Sequence, residues 1–189
     1  MTEFQRVFQS LKNTCINNKF PYMLIGGMAN IIHGSTRTTQ DVDVVVFVEY
    51  HELGEVVAAF QDAFLSRVSD PLSFMKNHFV LPLTHRKTEI DIDVSIGFSQ
   101  FEQRALARCK KMKFGDIELN VCSAEDLILF KLVAARPRDL LDVQELMHRY
   151  RGKLDTQYLE STAEGFSEVA RSDVPDNLAI FLSKYYNGD

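Results

Sequence analysis

The chain has 189 residues, a net charge of −5, 46% hydrophobic residues and 25% charged residues. That globular balance argues against extended disorder, a fibre, or a surface that coats nucleic acid without a local basic patch. No apolar run approaches the ~18 residues needed to cross a bilayer. The opening MTEFQRVFQSLKNT lacks the apolar core of a secretory leader. Three widely spaced cysteines (Cys15, Cys109 and Cys122) predict reduced thiols in a cytoplasmic protein.

Phe4, Val7, Phe8, Leu11 and Cys15 recur every three or four residues and predict an amphipathic helix. Tyr22 to Ile25 is a short apolar run stopped by Gly26-Gly27, a buried strand. Helical spacing resumes from Met28 to His33, with Gly34 as its C-terminal cap. The β-branched run 42–48 predicts a strand, and the spacing predicts a helix over 51–65. Phe79 to Leu81 adds a short strand, and strict alternation over 89–96 predicts a half-buried one. A helix near 101–108 precedes a hairpin turning at Gly115-Asp116. Ser123 caps a helix running to Ala135. Further helices are predicted over about 138–150, 155–170 and 175–186. The expected fold class is therefore α+β, α/β-like, over residues 1–122, followed by a helical C-terminal region over 123–189.

Two glycines where a strand hands over to a helix let backbone N–H groups approach a phosphate closely, although glycine pairs are also ordinary loop formers. Asp41 and Asp43 lie two apart at the head of the Val-rich strand, so both carboxylates share a face. Two buried like charges need a neutralising partner, and Mg²⁺ with oxygen ligands is the one expected; a solvated strand end is the alternative. Asp91 and Asp93 repeat the geometry on a second strand, enough for a two-metal site of the phosphoryl-transfer kind. Arg104, Arg108, Lys110, Lys111 and Lys113 form a phosphate-binding patch if they share a face. No GxSxG, P-loop, CxxC or HExxH is present, which disfavours the enzymes built on those motifs.

Ile25-Gly26-Gly27, thirteen intervening residues, Asp41-Val42-Asp43 and then Ile92-Asp93-Val94 together resemble the DNA-polymerase-β-type nucleotidyltransferase superfamily. The stretch GGMANIIHGSTRTTQDVDVVV looks like its small bacterial members, including AbiEii-type toxins and aminoglycoside nucleotidyltransferases. The later run SAEDLILFKLVAARPRDLLDVQEL also looks AbiEii-like, with Lys131 and Asp139 as the matching positions.

The resemblance covers residues 22–146 and implies a mixed sheet flanked by helices. It implies that Asp41, Asp43 and Asp93 hold Mg²⁺ (Mn²⁺ substituting), with Asp93 helping to deprotonate an acceptor hydroxyl and Asp91 in reserve as the third acid. Gly26 and Gly27 would cradle phosphates, and Arg37, Lys131 and Asp139 would contact the nucleotide. The reaction implied is transfer of NMP from an NTP such as ATP to an RNA, protein or small-molecule hydroxyl, with a cognate antitoxin as partner if the protein is a toxin. An inactive regulatory fold and an aminoglycoside-type enzyme are the alternatives.

Overall fold

The computed structural model describes residues 1–186. The chain divides into two units: Met1–Ile32 with Arg37–Cys122, and His33–Thr36 with the residues from Ser123 onward.

In the first unit, helix α1 (Glu3–Asn17) starts at a capping box between Thr2 and Gln5 and buries Val7, Phe8, Leu11 and Cys15 along one stripe. Strand β1 (Tyr22–Ile25) runs directly into α2 (Gly26–Ile32), and β2 (Asp41–Val46) follows. A 3-10 turn at Tyr50–Glu52 leads into α3 (Leu53–Phe60), then β3 (Phe64–Ser66), α4 (Pro71–His78), β4 (Val80–His85) and β5 (Asp91–Ile96). Helix α5 (Gln100–Arg108) and the hairpin of β6 (Lys110–Phe114) and β7 (Ile117–Val121) complete it. The seven strands form one mixed sheet in the order β3-β4-β5-β2-β1-β7-β6. Strand β2 runs antiparallel to β1 and parallel to β5.

Alternation sorts the heads of β2 and β5 into a buried side and an open side. Val42, Val44, Ile92 and Val94 are fully buried, each worth roughly 2 kcal/mol of apolar burial. Leu81, Leu83 and His85 of β4 continue that layer, and Ser10 of α1 reaches His85 at 3.1 Å, so α1 covers it. On β2 and β5 the intervening positions at the strand heads are the four aspartates. The alternation that fills the core therefore forces the carboxylates to gather on the other side.

The second unit contains α6 (Ala124–Ala134), α7 (Pro137–Arg149), α8 (Thr156–Ser167) and α9 (Asp173–Phe181), which continues as a π-helical turn, Leu182–Tyr186. Ser123 caps α6 by accepting the Asp126 N–H, and Ala135 ends it in the left-handed conformation. The segment 33–36 is held to α7 by a 2.6 Å hydrogen bond between His33 Nδ1 and Tyr150 Oη and by Ser35 Oγ donating to Glu145 Oε2 at 2.8 Å. No helix among the described residues is long and apolar enough to cross a membrane.

Several elements depart from the expectations: the strand expected over 42–48 stops at Val46, and the one expected over Phe79 to Leu81 runs from Val80 to His85. Helix α2 starts at Gly26, not Met28. The helix expected to reach residue 65 ends at Phe60, and Phe64–Ser66 pairs with β4 instead. Helix α4 was not anticipated, although Asp70 caps it and Pro71 sits at its first position, an ordinary helix start.

Candidate active site

Strands β2 and β5 pair in register, with Asp41 opposite Asp91 and Asp43 opposite Asp93. Paired residues of neighbouring strands project to the same face, so four carboxylates meet at one end of two parallel strands. Asp41 is exposed, and Asp43, Asp91 and Asp93 are half-buried.

The glycine pair lies against this cluster. Gly26 has φ +64°, a conformation that favours glycine, and a Cβ there would overlap Asp43 Oδ2 and lie 2.6 Å from its Cγ. A Cβ on Gly27 would meet Thr39 Oγ1 at 2.7 Å and Arg37 Nη2 at 3.2 Å. The missing side chains thus leave room for Asp43 on one side and for the loop bearing Arg37 on the other. Thr39 Oγ1 donates to Asp41 Oδ1 at 2.6 Å, and Thr84 Oγ1 on β4 donates to Asp91 Oδ1 at 2.6 Å.

Arg67 brings a cation among the carboxylates. The Arg67 guanidinium, just after β3, pairs with Asp93 Oδ1 through Nη2 and lies 3.4 Å from Asp91 Oδ2 through Nη1. Burial pushes the Asp93 carboxyl above its ordinary range, Arg67 pulls it back, and the charges of Asp41 and Asp91 push it up again. Among the described residues no three His, Cys, Asp or Glu side chains converge on a single metal position. The donor set nevertheless suits a hard divalent cation, since it is all carboxylate oxygen and already attracts a guanidinium.

Sequence reasoning anticipated the aspartates and glycines but not Arg67, Thr39 or Thr84. A lone arginine after an edge strand carries no pattern. Asn30 was also missed. It lies on α2 one turn beyond the glycines, is fully buried, and neither of its amide atoms has a hydrogen-bond partner among the described residues.

Lys131 and Asp139 belong to the helical unit and lie together there. Lys131 Nζ is 2.5 Å from Asp142 Oδ2 and 3.3 Å from Asp139 Oδ1, and Arg136 Nε holds the other Asp139 oxygen at 2.6 Å. All three members of the Lys131–Asp139–Asp142 group are buried. The basic run splits: on β6, Lys111 and Lys113 face one way and Lys110 the other, by strand alternation.

Residues 2–185 match a family model described as "Nucleotidyltransferase of unknown function (DUF6036)". No curated protein matches the chain in sequence. Among solved structures, an antigenic nucleotidyltransferase-like protein from Paracoccidioides brasiliensis is 16% identical, with 94% of this chain and 92% of that chain covered and a TM-score of 0.54. The antibiotic-resistance factor ANT(2'')-Ia is 14% identical, covering 98% of this chain and 95% of its own, with a TM-score of 0.54. Lincosamide antibiotic adenylyltransferase LnuA, solved with lincomycin bound, is 16% identical, covering 77% and 96%, with a TM-score of 0.53. At these identities the structural likeness speaks to the fold. The match over nearly the whole chain speaks to kinship: the protein belongs to this family of nucleotidyltransferases.

Proposed function

We propose that the protein transfers a nucleoside monophosphate from a nucleoside triphosphate, such as ATP, to a hydroxyl group and releases pyrophosphate. The observation that carries this reading is the in-register pairing of Asp41 with Asp91 and Asp43 with Asp93 beside Gly26. Asp41, Asp43 and Asp93 would hold Mg²⁺, or Mn²⁺ in its place. When bound, the metal would neutralise charge on the triphosphate and on the developing transition state.

The chain's own residues supply the rest. Gly26 and Gly27 let the backbone approach the β- and γ-phosphates, and Arg37, whose guanidinium lies beside Gly27, balances their charge. Asp93, with its proton affinity raised by burial, accepts the hydroxyl proton as the acceptor oxygen bonds to the α-phosphorus. The bond from that phosphorus to the bridging oxygen breaks, and pyrophosphate leaves with the electron pair. Lys131 and Asp139 enter this reading as a nucleotide-contacting pair, for which the ion network with Asp142 would have to open.

For the acceptor, exposed Lys111 and Lys113, which share a face of the edge strand β6, favour a macromolecule, RNA or protein, as a toxin with a cognate antitoxin would require. The placement of Arg67 on Asp91 and Asp93 supports a second reading, a regulatory fold that binds nucleotide without turnover.

Incubation with each α-labelled NTP, Mg²⁺ or Mn²⁺, and an acceptor panel of tRNA, total protein and aminoglycosides separates them. Label transfer lost in Asp43→Asn is the expected result. Nucleotide binding without aspartate-dependent pyrophosphate release from any NTP overturns the transferase reading in favour of the regulatory one.

A further inference from the structure

Strands β2 and β5 end together as they begin together, and the far end differs from the aspartate end. Beyond Val46 and Ile96 lies a cavity of about 630 Å³, within the size range of small-molecule sites. It lies roughly 17 Å along the strands from Asp41, at 3.3 Å per residue. Its aromatic lining comes from Phe47, Tyr50, Phe79 and Phe98, and its charged groups are Glu49 and Glu52. No Lys, Arg or His lines it among the described residues.

Several features hold this shape open. Gly97 has no side chain where a Cβ would lie 2.5 Å from Phe47 Cε1 and 2.7 Å from Val45 Cγ1, so the Phe47 ring lies across the strand end. Phe79 ends α4 in the left-handed conformation, φ +54°, a costly position for a bulky residue. Its ring meets that of Phe98 with centroids 4.9 Å apart. Phe98 and Tyr50 are each 60% exposed, although apolar rings of this size are normally covered. The Phe98 exposure is not slack in the chain. Its N–H donates to Glu102 Oε2 at 3.2 Å, in the capping box of α5. Glu52 is likewise fixed, since its Oε2 accepts the Glu49 N–H at 2.7 Å.

We propose that this cavity binds a small organic ammonium ion with an apolar body. Ring faces attract cations, strongest where water is displaced, and two carboxylates without a competing basic side chain reinforce that preference. The same charges repel phosphates, so the site is separate from the one proposed for nucleotide and does not depend on it.

Phenyltrimethylammonium, titrated into the full chain and followed by amide NMR, tests this against tert-butylbenzene, its neutral isostere. Saturable shifts at Gly97, Phe98 and Glu52 are expected, with binding at least about tenfold weaker for the isostere and for Phe98→Ala. Glu52→Gln should weaken binding several-fold. If Phe98→Ala does not fold, Tyr50→Ala gives the same readout. Equal affinity for the isostere, shifts confined to the aspartate end, or binding of a lysine-rich peptide but not the ammonium ion overturns the proposal.

Discussion

Replacing Gly26 by alanine tests the geometry on which the site depends. The backbone there has φ +64°, which costs an L residue roughly 1–2 kcal/mol. The new Cβ would also lie 2.6 Å from Asp43 Cγ and 2.8 Å from Asp43 Cβ. Rotating the carboxylate away relieves the first contact. It does not relieve the second, because the Cβ is fixed by the backbone of β2, where Asp43 pairs with Ile25 and Asp93. Overpacking of that kind adds about 1–3 kcal/mol. The sum, about 2–5 kcal/mol, is a large share of a typical 5–15 kcal/mol stability. Differential scanning fluorimetry should show Tm lower by roughly 5–15 °C. Because Asp43 must move, label transfer should fall even at temperatures where the variant stays folded. Gly27→Ala is the milder comparison: its φ is not positive, and the new Cβ meets Thr39 Oγ1 at 2.7 Å, Thr39 Cβ at 3.1 Å and Arg37 Nη2 at 3.2 Å on a loop that can shift, so its loss should stay at the low end, about 1 kcal/mol. A Gly26→Ala protein with unchanged Tm and activity would refute the close approach of Asp43 to this turn.

Arg67→Ala removes a half-exposed ion pair worth about 0–1 kcal/mol, so Tm should barely change. Mn²⁺ binding followed by electron paramagnetic resonance should tighten, up to about fivefold, if the guanidinium competes with metal for Asp91 and Asp93. Lys131→Met removes the ammonium shared by buried Asp139 and Asp142, while Asp139 keeps Arg136, and should cost about 3–5 kcal/mol. A stable Lys131→Met protein that has lost only NTP affinity would instead place that ammonium on the nucleotide. His85 is buried, and burial, then the Lys87 charge, lowers its pKa. The unfolded chain therefore takes up this proton first, so stability present above about pH 6.5 is lost on acidification. The fall in Tm from neutral to acid pH should be shallower in His85→Gln, and an equal slope would remove His85 as its cause. Burial pushes the Cys15 thiol up to about 12, so Cys15 and buried Cys122 should resist thiol reagents in the native protein while half-buried Cys109 reacts.

The aspartate cluster was legible because strand alternation and carboxylate spacing are local facts, and in-register pairing then brings the two strands together. Misreadings fell where local pattern and long-range pairing disagree. Phe60 and Phe64 are four apart, which continues a helical period, yet the partner for Phe64 is His85 across β4. A three-residue edge strand has too few residues to announce itself. The basic run makes one patch only if its members share a face, and β6 denies that, because consecutive strand residues face opposite ways. Arg67 shows the complementary limit: its neighbours Asp91 and Asp93 lie more than twenty positions away, so nothing near it in the chain marks its role.

Residues 33–36 carry a consequence for how such a chain can be inherited. They fall between α2 and β2, yet their hydrogen-bond partners, Tyr150 and Glu145, come more than a hundred positions later. A gene cut between the sheet and the helices would leave His33 and Ser35 on one fragment and the residues they bond to on the other. Recombination that exchanges whole modules at their borders has no clean seam here, so descent should carry the two halves as a matched set.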